Sequence, residues 1–322
     1  LNGGSINQAL LTPAHELMIE ITGFCHEQVK ITRNRVHLNG SDPETDGIKA
    51  DFPLTGQKAA LAIQGAYYIR VNNLQVSDSS SSGILVEHSA SVVFNNVAVR
   101  NNTVDGIFFR STRVNVENST ITGNASGVWA RSGRVIFINT DIIDNPGAPN
   151  SHGPAFDASE AADVSIYEST ISGDAYAIRA RNGARVAVQD SAISATPTAP
   201  DSGCCSALFG ENAVFEVIAS SIAGPIELAN SQMQLRNALQ TLPAGWESAG
   251  NFFTRGAFAT FAEGSQLAPT LWLQQFSRLT IEDSSQVVGG LSCSSGADAW
   301  CADPAVNLGA ASNCAQCAAA LP

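Results

Sequence analysis

The chain predicts an all-β fold, a right-handed single-stranded parallel β-helix, which is a solenoid of about 22 residues per coil. Three observations predict it. A short pattern recurs at near-constant intervals, apolar and polar residues alternate within each copy, and a second short strand follows each copy.

The pattern reads apolar, any, apolar, any, Asn/Asp/Glu, small or Asn, any, Ile/Val. It appears as IRVNNLQV from Ile69, VVFNNVAV from Val92, VNVENSTI from Val114, VIFINTDI from Val135, VSIYESTI from Val164, VAVQDSAI from Val186 and FEVIASSI from Phe215. The starts are separated by 23, 22, 21, 29, 22 and 29 residues. Alternation with a period of two marks a strand with one face turned inward. A column of Asn96, Ser119, Thr140, Ser169, Ser191 and Ser220 is expected to turn inward before the last aliphatic residue, each member satisfying its neighbour from coil to coil. The second strand is introduced by Gly or Ala, as in GILVE from Gly83, GIFFR from Gly106, GVWAR from Gly127 and AIRAR from Ala177. Crossovers between parallel strands of one sheet are right-handed. After Ala229 the pattern weakens, with irregular coils expected through Val288. The predicted organisation is a β-helix over 1–290 and a cysteine-containing C-terminal cap over 291–322, because a solenoid must cover its last coil.

The stretch from Met18 to Ile48, with Gly23, Cys25 and Glu27 in a G-x-C-x-E arrangement, resembles the opening coils of secreted right-handed β-helix proteins of the pectate-lyase-like and pectin-methylesterase-like superfamily. With the repeats, the resemblance covers roughly residues 15–225. It implies architecture rather than reaction, since one fold hosts many activities. Asn139-Thr140-Asp141 and Ser151-His152-Gly153 are similar to fragments of polygalacturonase motifs, without the paired aspartates or the Arg-x-Lys element that should accompany them. Gln189-Asp190-Ser191 resembles a pectin methylesterase segment, without that family's other motifs.

Composition narrows the partners. Hydrophobic residues make up 44% of the chain, yet no apolar run approaches the roughly 18 residues of a membrane span, so no transmembrane segment is expected. The formal net charge is -12 and the only lysines are Lys30, Lys49 and Lys58, which argues against nucleic acid. The 7 cysteines, Cys25, Cys204, Cys205, Cys293, Cys301, Cys314 and Cys317, suit an oxidising compartment and disulfides, hence a secreted, extracellular or periplasmic protein. The odd count leaves one thiol unpaired, or pairs Cys25 with a cysteine outside this sequence. Zinc held by Cys314, Cys317, Cys293 and Cys301 is the rival reading, with the right spacing in only one half. A monomer is expected.

The second strand carries the candidate chemistry. Its outward positions pair Leu85 with Glu87, Phe108 with Arg110, Trp129 with Arg131, Asp157 with Ser159, Arg179 with Arg181, and Phe209 with Glu211. A following column adds Arg113, Arg134 and Arg185, so half of all arginines form one stripe. Aromatic platforms beside arginine forks describe a face for an acidic polysaccharide, with Phe108, Arg110, Trp129, Arg181, Arg134 and Arg185 binding it. The inserts from Pro146 and Thr196 would wall this face. On this reading Trp129 and the arginines are exposed and unpaired; on the opposite one they pair with Asp105, Asp163 and Asp174 and decorate a solvated surface.

Cleavage is a further step. A lyase would neutralise a uronate and use a base, parts that fit Arg131, Arg179 and His152. A hydrolase would need two carboxylates, Asp157 with Asp144. Lyase chemistry is the closer fit, while a non-catalytic extracellular surface or adhesion module stays open, as does a piece of a trimeric tailspike. Calcium is the one cofactor with a candidate site, at Asp42, Glu44 and Asp46, although Pro53 stands where an EF-hand loop closes with Glu. The sequons at Asn39, Asn101, Asn118 and Asn124 are expected to reflect turn and ladder chemistry.

Overall fold

The computed structural model describes residues 4–53, 59–146, 153–173, 175–195, 206–243, 250–282, 284–294 and 296–301, together with the backbone of 311–312. It is a right-handed parallel β-solenoid of about 12 turns. Between the end coils, strands pair in parallel with their counterparts one coil before and one coil after. Three strands per coil define three faces. Face I contains Ala59–Gln64, Ser82–Glu87, Tyr176–Arg181 and Ser206–Glu211; face II contains Val36–Asn39, Asp163–Tyr167 and Arg185–Gln189; face III contains Thr120–Thr122, Thr170–Gly173 and Ala192–Ala195. Some strands bend through a corner unbroken. Asp105–Glu117 and Ser126–Ile138 join faces I and II, and Tyr67–Ser77 and Ala90–Arg100 join faces II and III.

The alternation inferred from sequence is realised in the strands. Val114 and Val116 are buried while Asn115 and Glu117 are half-exposed, and the same holds for Val186 and Val188. Inward rings of faces I and II meet edge-on across the core, as Phe109, Phe137 and Phe156 do, with ring centroids 6.3 and 5.3 Å apart. Burial of this continuous aliphatic and aromatic column is the main favourable term in folding.

Many corners are made by a residue in the left-handed conformation followed by a small, polar or aliphatic residue turned inward. Between faces II and III the left-handed residues are Asn73, Asn96, Asn118, Asn139, Glu168, Asp190, Ala219 and Asn237. Asn and Asp tolerate this conformation better than other non-Gly residues, which explains the Asn-rich fifth position of the repeat. Asn96 therefore belongs to this outer series, not to the inward column; the register of Ala98 with Thr120 makes Val97 the counterpart of Ser119. From Ser119 onward the inward column forms as expected: Oγ of Ser119 accepts from Val97 N, Ser169 from Thr140 N, Ser191 from Ser169 N and Ser220 from Ser191 N, at 3.0 to 3.1 Å.

The corner between faces III and I holds a buried asparagine ladder. Asn102 Oδ1 accepts from Ser79 N, Asn124 Oδ1 from Asn102 N and Asn145 Oδ1 from Asn124 N, each at 3.0 Å. Asn124 Nδ2 donates to Val99 O, Thr122 O and Asn145 Oδ1. The Asn124 sequon is thus a ladder residue with no exposed surface.

The solenoid extends past residue 290. Leu291–Cys293 pairs with Leu271–Leu273, and Asp298–Cys301 pairs with Arg278–Ile281, so the first part of the expected cap is another coil in 20-residue steps. Cys293 and Cys301 are buried in it; Cys204, Cys205, Cys314 and Cys317 lie outside the described residues. Cys25 is free, and burial pushes its thiol above the ordinary value.

At the other end, the helix Ile6–Ala9 lies over the first coil with Ile6 fully buried. Glu27 of the G-x-C-x-E arrangement holds it, accepting from Ser5 Oγ (2.7 Å), Asn7 Nδ2 (2.7 Å) and the Ile6 amide. Arg33 donates to the carbonyls of Leu10, Thr12 and Ala14 beyond the helix.

Asn124→Ala removes the central rung of the ladder and leaves the buried Asn102 amide unpaired. Equilibrium denaturation should show a loss of about 3 kcal/mol. A change below about 0.5 kcal/mol would show that the ladder does not hold the corner.

Candidate functional site on face I

Parallel register places side chains of one column on successive coils, about 4.8 Å apart. On face I the outward column runs Leu85, Phe108, Trp129, Asp157, Arg179, Phe209 and Glu227. The column beside it runs Glu87, Arg110, Arg131, Ser159, and then Arg181 and Glu211. Two of the expected features meet here, an aromatic platform and a group of arginines.

Phe108 and Trp129 contact each other with ring centroids 5.2 Å apart. The Arg131 guanidinium lies 4.8 Å from the Trp129 ring centroid and pairs with Glu160 at 2.6 Å. Trp129 Nε1 donates to Ser159 Oγ at 3.4 Å. The indole is thereby held on both sides, its remaining surface half-exposed.

One coil on, Asp157 is 3% exposed and its Oδ2 receives a fork of donors: Arg179 Nε at 3.0 Å, Arg179 Nη2, and Arg181 Nη2 at 3.0 Å. Arg179 also lies over the Tyr176 ring, 5.8 Å from its centroid. Asp157 Oδ1, Arg131 Nε and Arg181 Nε are buried with no hydrogen-bond partner among the described residues. Buried polar atoms are nearly always paired, so three orphans on adjacent coils single out this part of the face.

The arginines are therefore paired, as in the second of the two sequence readings, although, of the partners that reading named, Asp163 is the one observed. Arg110 pairs with Glu87 at 3.8 Å, Arg131 with Glu160, and Arg179 and Arg181 with Asp157. Arg134 and Arg185 stand across the corner at the start of face II, paired with Asp163 at 3.9 Å and Glu216 at 3.2 Å, so the stripe is split in two. Leu85 is buried with Ala59 and Ala62 against Phe108. Asp157 is buried and held by two guanidiniums, which removes it as a free carboxylate for hydrolysis. Asp144 is exposed at the corner after Asp141–Ile143. His152, Asp174 and nearly all of the two inserts lie outside the described residues.

Asp105 is a feature the sequence reading placed differently. It partners no arginine; its Oδ2 accepts from Ser82 Oγ at 3.2 Å, and it is 7% exposed. Burial, with a smaller push from the Asp157 charge, raises its pKa from the ordinary 3.8 to about 6, against the opposing pull of the Ser82 hydroxyl. Its apolar neighbours in the GIFFR strand were the available signal.

The carboxylates expected to bind calcium are spread over separate partners. Asp46 accepts from the amides of Gly23 and Ser41 and from Ser41 Oγ at 2.7 to 2.8 Å, and these bonds hold its pKa well below the usual range. Asp42 Oδ1 accepts from Glu44 N at 2.9 Å, and the Glu44 carboxylate pairs with Arg100 at 2.9 Å. No cluster of three metal-ligating side chains occurs among the described residues, and none of their helices is long and apolar enough to cross a membrane.

The family model for a right handed beta helix region matches residues 19–142 and 59–222. No curated protein matches the chain. Among solved structures, the chain is similar to an alginate lyase from Paenibacillus sp. str. FPU-7, with 13% identity, a TM-score of 0.45, and coverage of 97% of this chain and 93% of that one. It is also similar to a DFA-IIIase from Arthrobacter chlorophenolicus A6, with 10% identity, a TM-score of 0.47, and coverage of 90% and 86%. A tailspike of an Acinetobacter phage gives 8% identity and a TM-score of 0.45, covering 88% of this chain and 57% of its own.

The raised pKa of Asp105 predicts a pH dependence. The folded state holds its proton up to about pH 6 and the unfolded chain releases it near 3.8. Stability from this group is present below the lower value and is lost as pH rises through the upper one, by about 3 kcal/mol. In Asp105→Asn this loss should vanish, so the variant gains on the parent between pH 4 and 7 in denaturation experiments. Parallel pH profiles would show that Asp105 ionises normally.

Proposed function

Because the chain belongs to the right-handed β-helix family, whose fold hosts unrelated activities, we propose its function from face I itself: it binds an acidic polysaccharide laid along the solenoid axis. The observation that carries this reading is the Phe108–Trp129 platform in one column with Arg179, and Arg181 in the column beside it, both guanidiniums held by Asp157. An aromatic ring offers a flat apolar surface to a sugar face, and guanidiniums bind carboxylates or sulfates through paired N–H groups. Asp157 supports this role. Each guanidinium has five donors, and Asp157 takes three of the ten, fixing both groups in place. Pre-organised donors lose less entropy on binding.

Lyase chemistry is the cleavage this arrangement suits. Neutralising a uronate carboxylate acidifies the adjacent C–H, a base removes that proton, and the glycosidic oxygen leaves to give an unsaturated sugar. Arg179 and Arg181 fit the neutralising part, and Arg131 and His152 are the candidates for the base. A secreted setting, with disulfides bracing the C-terminal coils, belongs to the same proposal.

The test is binding to uronic-acid and sulfated polysaccharides, with and without calcium, while following the ultraviolet absorbance of unsaturated products. Trp129→Ala should weaken binding by about tenfold or more with little change in melting midpoint, and Arg179→Lys, which keeps a cation beside the buried Asp157 but loses the planar fork, should weaken it by a similar factor. Full affinity in both variants would remove face I as the binding surface. Binding without product in the parent protein would reduce the function to recognition.

A further inference from the structure

We infer that face I carries three aromatic platforms in a three-coil repeat, and that its ligand is a linear anionic polysaccharide long enough to span them. This inference rests on the reading of face I above and extends it toward the C-terminal coils.

Phe108 and Trp129 occupy two successive coils, and the next coil presents Asp157. The following two coils present Tyr176, in the strand that carries Arg179, and Phe209, with ring centroids 5.2 Å apart. The coil after them presents Glu227, whose carboxylate accepts from Ser206 Oγ at 2.6 Å. The next two present Phe252 and Trp272, stacked at 4.7 Å with 16° between their planes. In the fourth coil the column position is Arg179, and the ring comes from Tyr176 at the start of that strand, in register with Ser206; along the face the sequence is aromatic pair, Asp157, aromatic pair, Glu227, aromatic pair. Platforms are thus centred three coils apart, about 14 Å, and the row from Phe108 to Trp272 is about 34 Å long.

Local structure makes the last platform. Gly250 has no side chain because a Cβ there would fall 1.8 Å from Trp272 Cζ3, so the indole lies against bare backbone. Phe252 is 40% exposed and Trp272 beside it is half-exposed, so the pair presents ring surface to solvent. A protein partner would be expected to meet a continuous apolar patch; here each aromatic pair is separated from the next by a buried or half-buried carboxylate. One pyranose unit of an extended chain advances by about the rise of one coil. A ring pair would therefore recur about every third sugar of a linear chain, with the Arg179 and Arg181 guanidiniums that Asp157 holds lying between the first two pairs to meet the chain's acid groups.

The experiment is calorimetric titration of the full chain with linear oligogalacturonates, in trimer, hexamer and nonamer lengths, with oligomannuronates of the same lengths in parallel. Affinity should rise from trimer to hexamer and again from hexamer to nonamer. The double variant Phe252→Ala/Trp272→Ala should lower nonamer affinity about tenfold, to the hexamer value, whereas Phe252→Tyr/Trp272→Tyr retains it and controls for folding. Phe209→Ala should flatten the whole length series. An unchanged nonamer affinity in the alanine double variant, with binding still lost in Trp129→Ala, overturns the three-platform inference and leaves the reading of face I intact. No binding of either series by the parent protein overturns both for uronates.

Discussion

Every coil of this protein depends on turning the chain three times without leaving buried amides unpaired. A left-handed residue makes most of these turns, and at many of them the next residue points inward and its hydroxyl or amide oxygen takes an N–H of the neighbouring coil. Satisfying buried donors in this way lets the corners be as tight as the strands are straight. The registers of all three faces follow, because a stack of identical corners allows only one pairing between coils. Face I inherits its columns of side chains from that constraint.

The repeat was legible because alternation and corner chemistry both repeat within a short window. The outward pairs from Phe108 to Glu211 were assigned to the correct columns, since each lies a fixed distance from a Gly or Ala at the corner. Two kinds of feature escaped. Asn96 was placed in the inward column because Asn serves at both the outer left-handed position and the inner ladder, and composition does not tell them apart. Pairing of the arginines is one of the two readings the sequence supports, and Arg134 with Asp163 follows it; the Arg179 to Asp157 pair is not legible because the two are 22 residues apart and sharing a column shows neighbourhood without showing that one neutralises the other. The coils after residue 229 were blurred because their steps alternate between short and long, from 18 residues between Val214 and Gln232 to 26 between Gln232 and Phe258. With 20-residue coils beyond, no single period runs through the whole chain.

The electrostatics of face I differ from a simple basic groove. The protein carries a net charge of -12, and its arginines on this face are matched by Glu87, Asp157 and Glu160 in adjacent coils. Long-range attraction of an anionic chain is therefore weak, and selectivity rests on close-range geometry. Asp105 sits beside this network and resists ionisation, since a further buried negative charge there has no counter-ion.

The carboxylate of Glu27 has a consequence for the molecule as a whole. A parallel solenoid ends in three open strand edges, each offering unpaired amides and carbonyls to any other strand of suitable register. Glu27 fastens the short helix across the opening, and Ile6 plugs the hydrophobic core beneath it. One half-buried acidic side chain thus covers a strand edge: any strand that paired here would have to displace the helix and leave the Glu27 carboxylate without its three donors.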